Sequence, residues 1–125
     1  MVRAMTADAD GQARVRAALE GLARSGRTMT YKDLAELAGV PEPHRIHRLT
    51  GWLEALARQD HAEGRPILAA VAVSRARGGL PGRGFFMLMT ELGRYAGPTD
   101  GPEAAHHHTA EIGRVFDAFR GSAGA

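Results

Sequence analysis

The apolar residues Val15, Ala18, Leu19 and Leu22 recur at three- and four-residue spacing between arginines, which predicts an amphipathic helix over residues 11–25. Ser25-Gly26 marks its end. Thr30 then opens a second helix, because its hydroxyl and the carboxylate of Asp33 can each satisfy an orphan amide of the first turn. Ala38 closes that helix, Gly39 suits a left-handed cap, and Pro41 and Pro43 force the chain to turn and restart near Pro43. The third helix carries Ile46, Leu49, Leu53 and Leu56 on one stripe, with His44, Arg45, His47 and Arg48 on the opposite face.

After the polar stretch Arg58 to Arg65 the pattern changes. Ile67 to Val73 is a continuous apolar run of strand length, Gly78, Gly79, Pro81, Gly82 and Gly84 punctuate the next few residues, and Phe85 to Met89 is a second apolar run. The pair predicts a β-hairpin whose long tip bears Arg75, Arg77 and Arg83. Beyond Tyr95 residues 96–104 have the composition of a linker. Residues 105–120 predict a last helix with Ile112, Val115, Phe116 and Phe119 on one face. Residues 1–10 and 121–125 are expected to be flexible ends. The predicted fold is α+β and mainly helical: a winged helix-turn-helix over residues 11–95, three helices plus a hairpin wing, with an added C-terminal amphipathic helix. The apolar face of that last helix either packs on the same core or is offered to a second copy or a partner protein.

Composition narrows the classes. The 125 residues, 44% hydrophobic and 24% charged, suffice for one core. No apolar run approaches the ~20 residues of a membrane span, and acids stand in the N-terminal stretch where a secretory signal would be apolar, so a cytoplasmic protein without membrane attachment is expected. The absence of cysteine excludes disulfides, thiolate nucleophiles and cysteine-based zinc sites. A pI of about 9.7 accompanies a formal charge of only +2, because with one lysine and two tyrosines little titrates between the histidines and pH 10. Residues 1–43 hold six cations and six acids, residues 44–96 eight arginines and four acids, and residues 97–125 two arginines and four acids. The positive excess thus lies from the third helix through the predicted hairpin, where a nucleic-acid surface would put it. Arginine abundance is also a bacterial-type composition that a GC-rich genome tends to encode.

The run Tyr31-x-x-Leu34-Ala35-x-x-Ala38-Gly39-x-Pro41-x-x-x-Arg45 resembles the helix-turn-helix of the O6-alkylguanine-DNA alkyltransferases and alkyltransferase-like proteins, and Pro66-Ile67-Leu68 comes where that family has a similar segment. The resemblance covers residues 28–71. It implies that Tyr31 and Arg45 stand where that family rotates a damaged nucleotide out of the duplex, the arginine filling the gap. The family's Pro-Cys-His-Arg-Val motif is replaced near Ala70 by Ala70-Val71-Ala72-Val73-Ser74, so no alkyl acceptor exists. What the resemblance implies is a DNA-binding scaffold without the transfer chemistry. The element Pro81-Gly82-Arg83-Gly84-Phe85-Phe86 lies outside that pattern.

The candidate DNA-contacting residues are Tyr31, Lys32, His44, Arg45, His47, Arg48, Arg75, Arg77 and Arg83, since arginine reads guanine edges and phosphates bidentately. Trp52, beside the Leu49 and Leu53 stripe, is expected in the core. His44 and His47 have a spacing that can place two imidazoles on one metal, but no carboxylate or cysteine matches it, and three consecutive histidines, His106 to His108, cannot all face one ion on a helix. No catalytic constellation is present, and no cofactor is expected. Three readings remain: a non-enzymatic DNA-binding regulator or accessory factor; a protein-interaction module using Ile112, Val115, Phe116 and Phe119; and a non-catalytic DNA-lesion sensor.

Overall fold

The computed structural model describes the backbone of residues 2–123 and the side chains of residues 9–120. The elements in chain order are α1 (Val2–Ser25), β1 (Met29–Thr30), α2 (Tyr31–Leu37), α3 (Arg45–Ala62), a 3-10 turn over Leu68–Val71, β2 (Ala72–Val73), a second 3-10 turn over Arg75–Arg77, α4 (Arg83–Glu91) and α5 (Gly101–Ala123). The architecture is α+β and mainly helical.

Helix α1 buries Val15, Leu19, Leu22 and Ala23, the stripe its spacing predicts. It starts at Val2 rather than after a flexible segment, in keeping with alanines 4, 7 and 9 and the absence of proline and glycine before Gly11. Gly11 has a packing role. A Cβ there would lie 2.3 Å from the Trp52 ring, so only glycine lets the indole of α3 rest on the α1 backbone. Helix α2 ends at a Schellman closure: Gly39 has φ +65, its N–H donates to Glu36 O, and the Val40 N–H donates to Ala35 O at 2.9 Å. The same pair of bonds ends α1, α3 and α4.

The predicted β-hairpin does not form. Leu68–Val71 is a 3-10 turn, only Ala72–Val73 is strand, and its partner is Met29–Thr30, in parallel, with Met29 opposite Ala72 and Thr30 opposite Val73. Phe85 to Met89 lies in α4, where Phe86 and Met89 are buried at i, i+3 spacing. A short apolar run without alternation suits a buried helix as well as a strand, and here packing from several sides decides it. There is accordingly no hairpin wing among the described residues.

The last helix starts at Gly101 and runs to Ala123, so the linker is shorter, and the helix longer at both ends, than residues 96–104 and 105–120 predict. Val115 is fully buried in the core, with Ile112, Phe116 and Phe119 packed against it. This corrects the assignment of those four side chains to a partner: the short connection brings α5 back across α1, and its apolar face is used inside the chain.

Between these helices runs the segment Pro66 to Val71, whose backbone has no neighbouring strand over most of its length. Side chains satisfy it instead. The Ile67 N–H donates to Glu111 Oε2 at 2.8 Å, the Leu68 N–H donates to Asp60 Oδ2 at 3.1 Å, and His108 Nε2 lies 2.8 Å from Ala70 O. A carbonyl only accepts, so His108 Nε2 carries the proton. The carboxylates are neutralised in turn: Asp60 by Arg16 at 3.1 Å and Arg65 at 3.2 Å, Glu111 by Arg94 at 3.2 Å and Arg114 at 2.6 Å.

Candidate nucleic-acid interface

The α2–turn–α3 unit is built from the turn outward. Thr30 caps α2 by accepting the Asp33 N–H at 3.3 Å, and the closure at Gly39 buries Val40 beneath the turn. Two arginines of α3 then bind back to the turn: Arg45 Nε donates to Val40 O at 2.7 Å and Arg48 Nε donates to Pro43 O at 3.0 Å. His44, at φ 59, forms the N-cap position, so α3 begins at Arg45, two residues later than Pro43. These bonds fix the direction in which α3 leaves the turn.

The expected residues divide on this frame. Lys32, His44, His47 and Arg48 are exposed, Lys32 on α2, His44 at the N-cap of α3, and His47 and Arg48 in its first turn. Lys32, His44, Arg45, Ile46 and His47 line one groove together with the acids Glu36 and Glu42. Arg45 is half-buried by its bond to Val40 and has Glu42 at 3.9 Å, so its first role is to hold the turn. Leu49, Leu53, Leu56 and Ala57 are buried on the inner face. Ile46, expected on that stripe, is instead 43% exposed. It stands in the first turn, ahead of the point where the core begins.

The arginines assigned to the wing part company. Arg75 is exposed. Arg77 is drawn inward: it donates to Thr99 O and Asp100 Oδ1 and lies over the Phe86 ring at 5.9 Å, which corrects its assignment as a DNA contact. Arg83, at the start of α4, is exposed but has Asp100 at 3.4 Å. A single acid of the linker, Asp100, thus meets two of the three.

Tyr31 is half-buried, and its hydroxyl accepts the Gly82 N–H at 2.8 Å. Burial pushes this phenol up from its ordinary value, against the opposing influence of that hydrogen bond and of the Arg77 charge. The bond joins the start of α2 to the start of α4 across the mouth of a cleft of about 400 Å³ between α3 and α4. Tyr31, His47, Thr50, Leu53, Phe85 and Leu88 are among its lining residues. This gives the Pro81 to Phe86 element a structural place: Pro81 is buried, Gly82 caps α4, and Phe85 faces the cleft. The sequence signal available for it was the i, i+3 spacing of Phe85 with Leu88 and of Phe86 with Met89.

Among the described residues no group of three or more His, Asp or Glu side chains could hold a metal ion, and no helix is long and apolar enough to cross a membrane. His108 is buried and His107 half-buried. His107 stacks on Tyr95 at 4.6 Å between ring centroids, and burial lowers the pKa of both imidazoles. Comparison of the chain with protein-family models, curated proteins and solved structures finds no match.

Proposed function

We propose that this chain is a non-enzymatic duplex-DNA-binding protein that presents the first turns of α3 to a groove and uses neighbouring cations to hold phosphates. One observation carries the reading. Lys32, Arg48 and Arg75 are exposed, and among the described residues none has an acid within ion-pair distance, a property they share with Arg14 and Arg27, whereas Arg24, Arg114 and Arg120 on α1 and α5 are paired with acids of their own helices. The parallel register of β1 and β2 sends both chains out at the same end of the pair, and Lys32 and Arg75 each follow two residues past a strand. Unneutralised cations around the leading end of a fixed helix suit a phosphate backbone, and His44, His47 and Arg48 are where base-edge contacts would arise.

The test is fluorescence anisotropy of a labelled random-sequence duplex at several salt concentrations. Micromolar binding that weakens steeply with salt is the expected result, with the slope reduced by about one for each of Lys32→Ala and Arg48→Ala. No binding at low salt would sink the proposal.

The cleft favours a second reading, a lesion sensor of the alkyltransferase-like kind. It opens beside α3 with Tyr31 and His47 at its lining, a volume of about 400 Å³ and a mainly apolar wall, which suits an extruded base. Arg45 would have to leave Val40 to fill the gap in the duplex. A marked preference for a mismatched or alkylated base over intact duplex at equal salt distinguishes this reading from the first.

A further inference from the structure

We infer that the cleft between α3 and α4 is a binding site for a free small molecule, an uncharged planar compound of two or three fused rings that carries a hydrogen-bond acceptor. The site does not depend on the DNA-binding reading, and its occupant would take the space that an extruded base would fill. At about 400 Å³, with a mainly apolar wall, the cleft has the size and lining of small-molecule sites. A cavity of roughly 150 Å³ takes one benzene, so two to three rings fit here.

Three features set the chemistry of the ligand. The first is an unspent donor. Tyr31 Oη accepts the Gly82 N–H at 2.8 Å, and its own O–H meets no acceptor among the described residues. Burial pushes the phenol up from its ordinary value, so the proton stays in place at neutral pH for an acceptor on the ligand to take up. The second is shape. Phe85, held edge-to-face against Phe86 at 5.3 Å between centroids, offers an aromatic surface, and Gly51 and Gly84 line the cleft with bare backbone, where a Cβ would meet no atom within 4 Å. Gly21 and Gly113 are as bare but do not line it. A flat ring uses both surfaces, stacking on the phenyl group and approaching the backbone where no side chain stands in the way. The third is charge. Among the described residues no lysine or arginine lines the cleft, and its one acid is Glu54, whose partner Arg58, at 3.8 Å, is closer to Glu91, at 2.5 Å. The apolar wall disfavours any charge, and an anion would face Glu54 without a counter-charge. The phosphates flanking an extruded base would meet that same rim, whereas a free molecule brings none.

The experiment titrates the full chain with four probes and follows its amide NMR spectrum, which reads both affinity and place. Quinoline is flat, neutral and has a ring-nitrogen acceptor; naphthalene has the shape without the acceptor; decalone has an acceptor on a saturated bicycle; naphthoate adds a negative charge. Shifts are expected at the amides of Gly51, Gly82 and Gly84. Quinoline is expected to bind about fivefold more tightly than naphthalene, the worth of one hydrogen bond, and more tightly than decalone or naphthoate. Tyr31→Phe should erase the advantage of quinoline and leave naphthalene unchanged. Thr50→Trp, a substitution at an exposed lining position, should fill the cleft and abolish binding of both. Equal affinity for quinoline and naphthalene, a preference that survives Tyr31→Phe, or weakening of both probes alike in that variant would remove the donor and overturn the inference. So would tighter binding of decalone or naphthoate, or shifts that fall outside the cleft. Displacement of quinoline by a mismatched duplex and not by an intact one would assign the cleft to an extruded base and overturn the free-molecule reading. A chain that binds quinoline as expected and no DNA at any salt concentration would support this inference and sink the DNA-binding proposal alone.

Discussion

The leading end of α3 and the segment Pro66 to Val71 use the same residue types to opposite ends. Around α3, Lys32, His44, His47 and Arg48 are exposed and form no ion pair among the described residues, although Glu36 and Glu42 line the same groove, and Arg45 and Arg48 donate to backbone carbonyls of the turn. Around Pro66 to Val71, Asp60 and Glu111 are nearly or fully buried, each held by two arginines, and each accepts a backbone N–H of that segment. A charge with a buried counter-charge serves the fold. A charge without one, in water, is available to a ligand. Histidines divide in the same way, His44 and His47 in solvent, His107 half-buried and His108 buried.

The comparison breaks most sharply at Glu111. Glu111→Ala leaves the Ile67 N–H without a partner and Arg94 without its counter-charge, and removal of one member of a buried pair costs about 3–5 kcal/mol. A urea titration should show that loss as a lower midpoint with an unchanged slope. Glu111→Gln, which can still accept the Ile67 N–H, should lose less. If Glu111→Ala proved as stable as wild type, the clamp on this segment would be incidental.

At the crossing of α1 and α3, Gly11→Val places a branched side chain against the Trp52 ring. Overpacking of this kind costs about 1–3 kcal/mol, and thermal unfolding would show it. A neutral result would mean that the indole swings aside, and that the close helix approach is not needed.

Acid provides a graded test of the interior. Burial lowers the folded-state pKa of His107 and His108, so near neutral pH the unfolded chain binds more protons than the folded one. Stability is therefore full above the unfolded histidine value of about 6.5 and declines as pH falls through it. For Glu111, burial acts to raise the pKa, but the Ile67 N–H and the Arg114 and Arg94 cations outweigh it and hold the carboxyl below its ordinary value. Its contribution persists above the ordinary carboxylate range and is lost as pH falls below it. Chemical denaturation from pH 8 to pH 4 should thus show a first decline beginning near the histidine range, and His107→Phe should flatten it. His107 Nε2 is buried without a partner, so this exchange removes a titrating group and no hydrogen bond made by that nitrogen.

The smallest stability effects belong to the exposed cations. Arg48→Ala and Lys32→Ala should each alter unfolding free energy by less than about 0.5 kcal/mol while weakening DNA binding at low salt. A variant that lost DNA binding and stability together would blur the distinction between the two regions.

How much of this was legible depended on how local the signal was. Thr30, Gly39 and the Leu49, Leu53 and Leu56 stripe define α2, its closure and α3 because caps, left-handed closures and helical periodicity are properties of a few adjacent residues. The amphipathic face of α5 was legible for the same reason, but its destination was not. Phe85 to Met89 misled because a short apolar run fits either period, and Ile46 misled because periodicity gives a direction around a helix and not the place where the core ends. Arg77 carries no mark in the sequence that separates it from Arg75.

The order of residues alone establishes the cap and closure of α2, the apolar stripes of α1, α3 and α5, and that the positive excess lies between residues 44 and 96. Those properties arise from backbone sterics, side-chain periodicity and composition, all of them short-ranged. Folding in three dimensions was needed to establish that residues 72–73 pair with residues 29–30, that Glu111 and His108 reach back to residues 67 and 70, and that Asp100 takes Arg77 out of solvent. Each joins groups more than twenty positions apart, and whether a charge ends buried and paired or exposed and free depends on which of them the fold brings within a few ångströms.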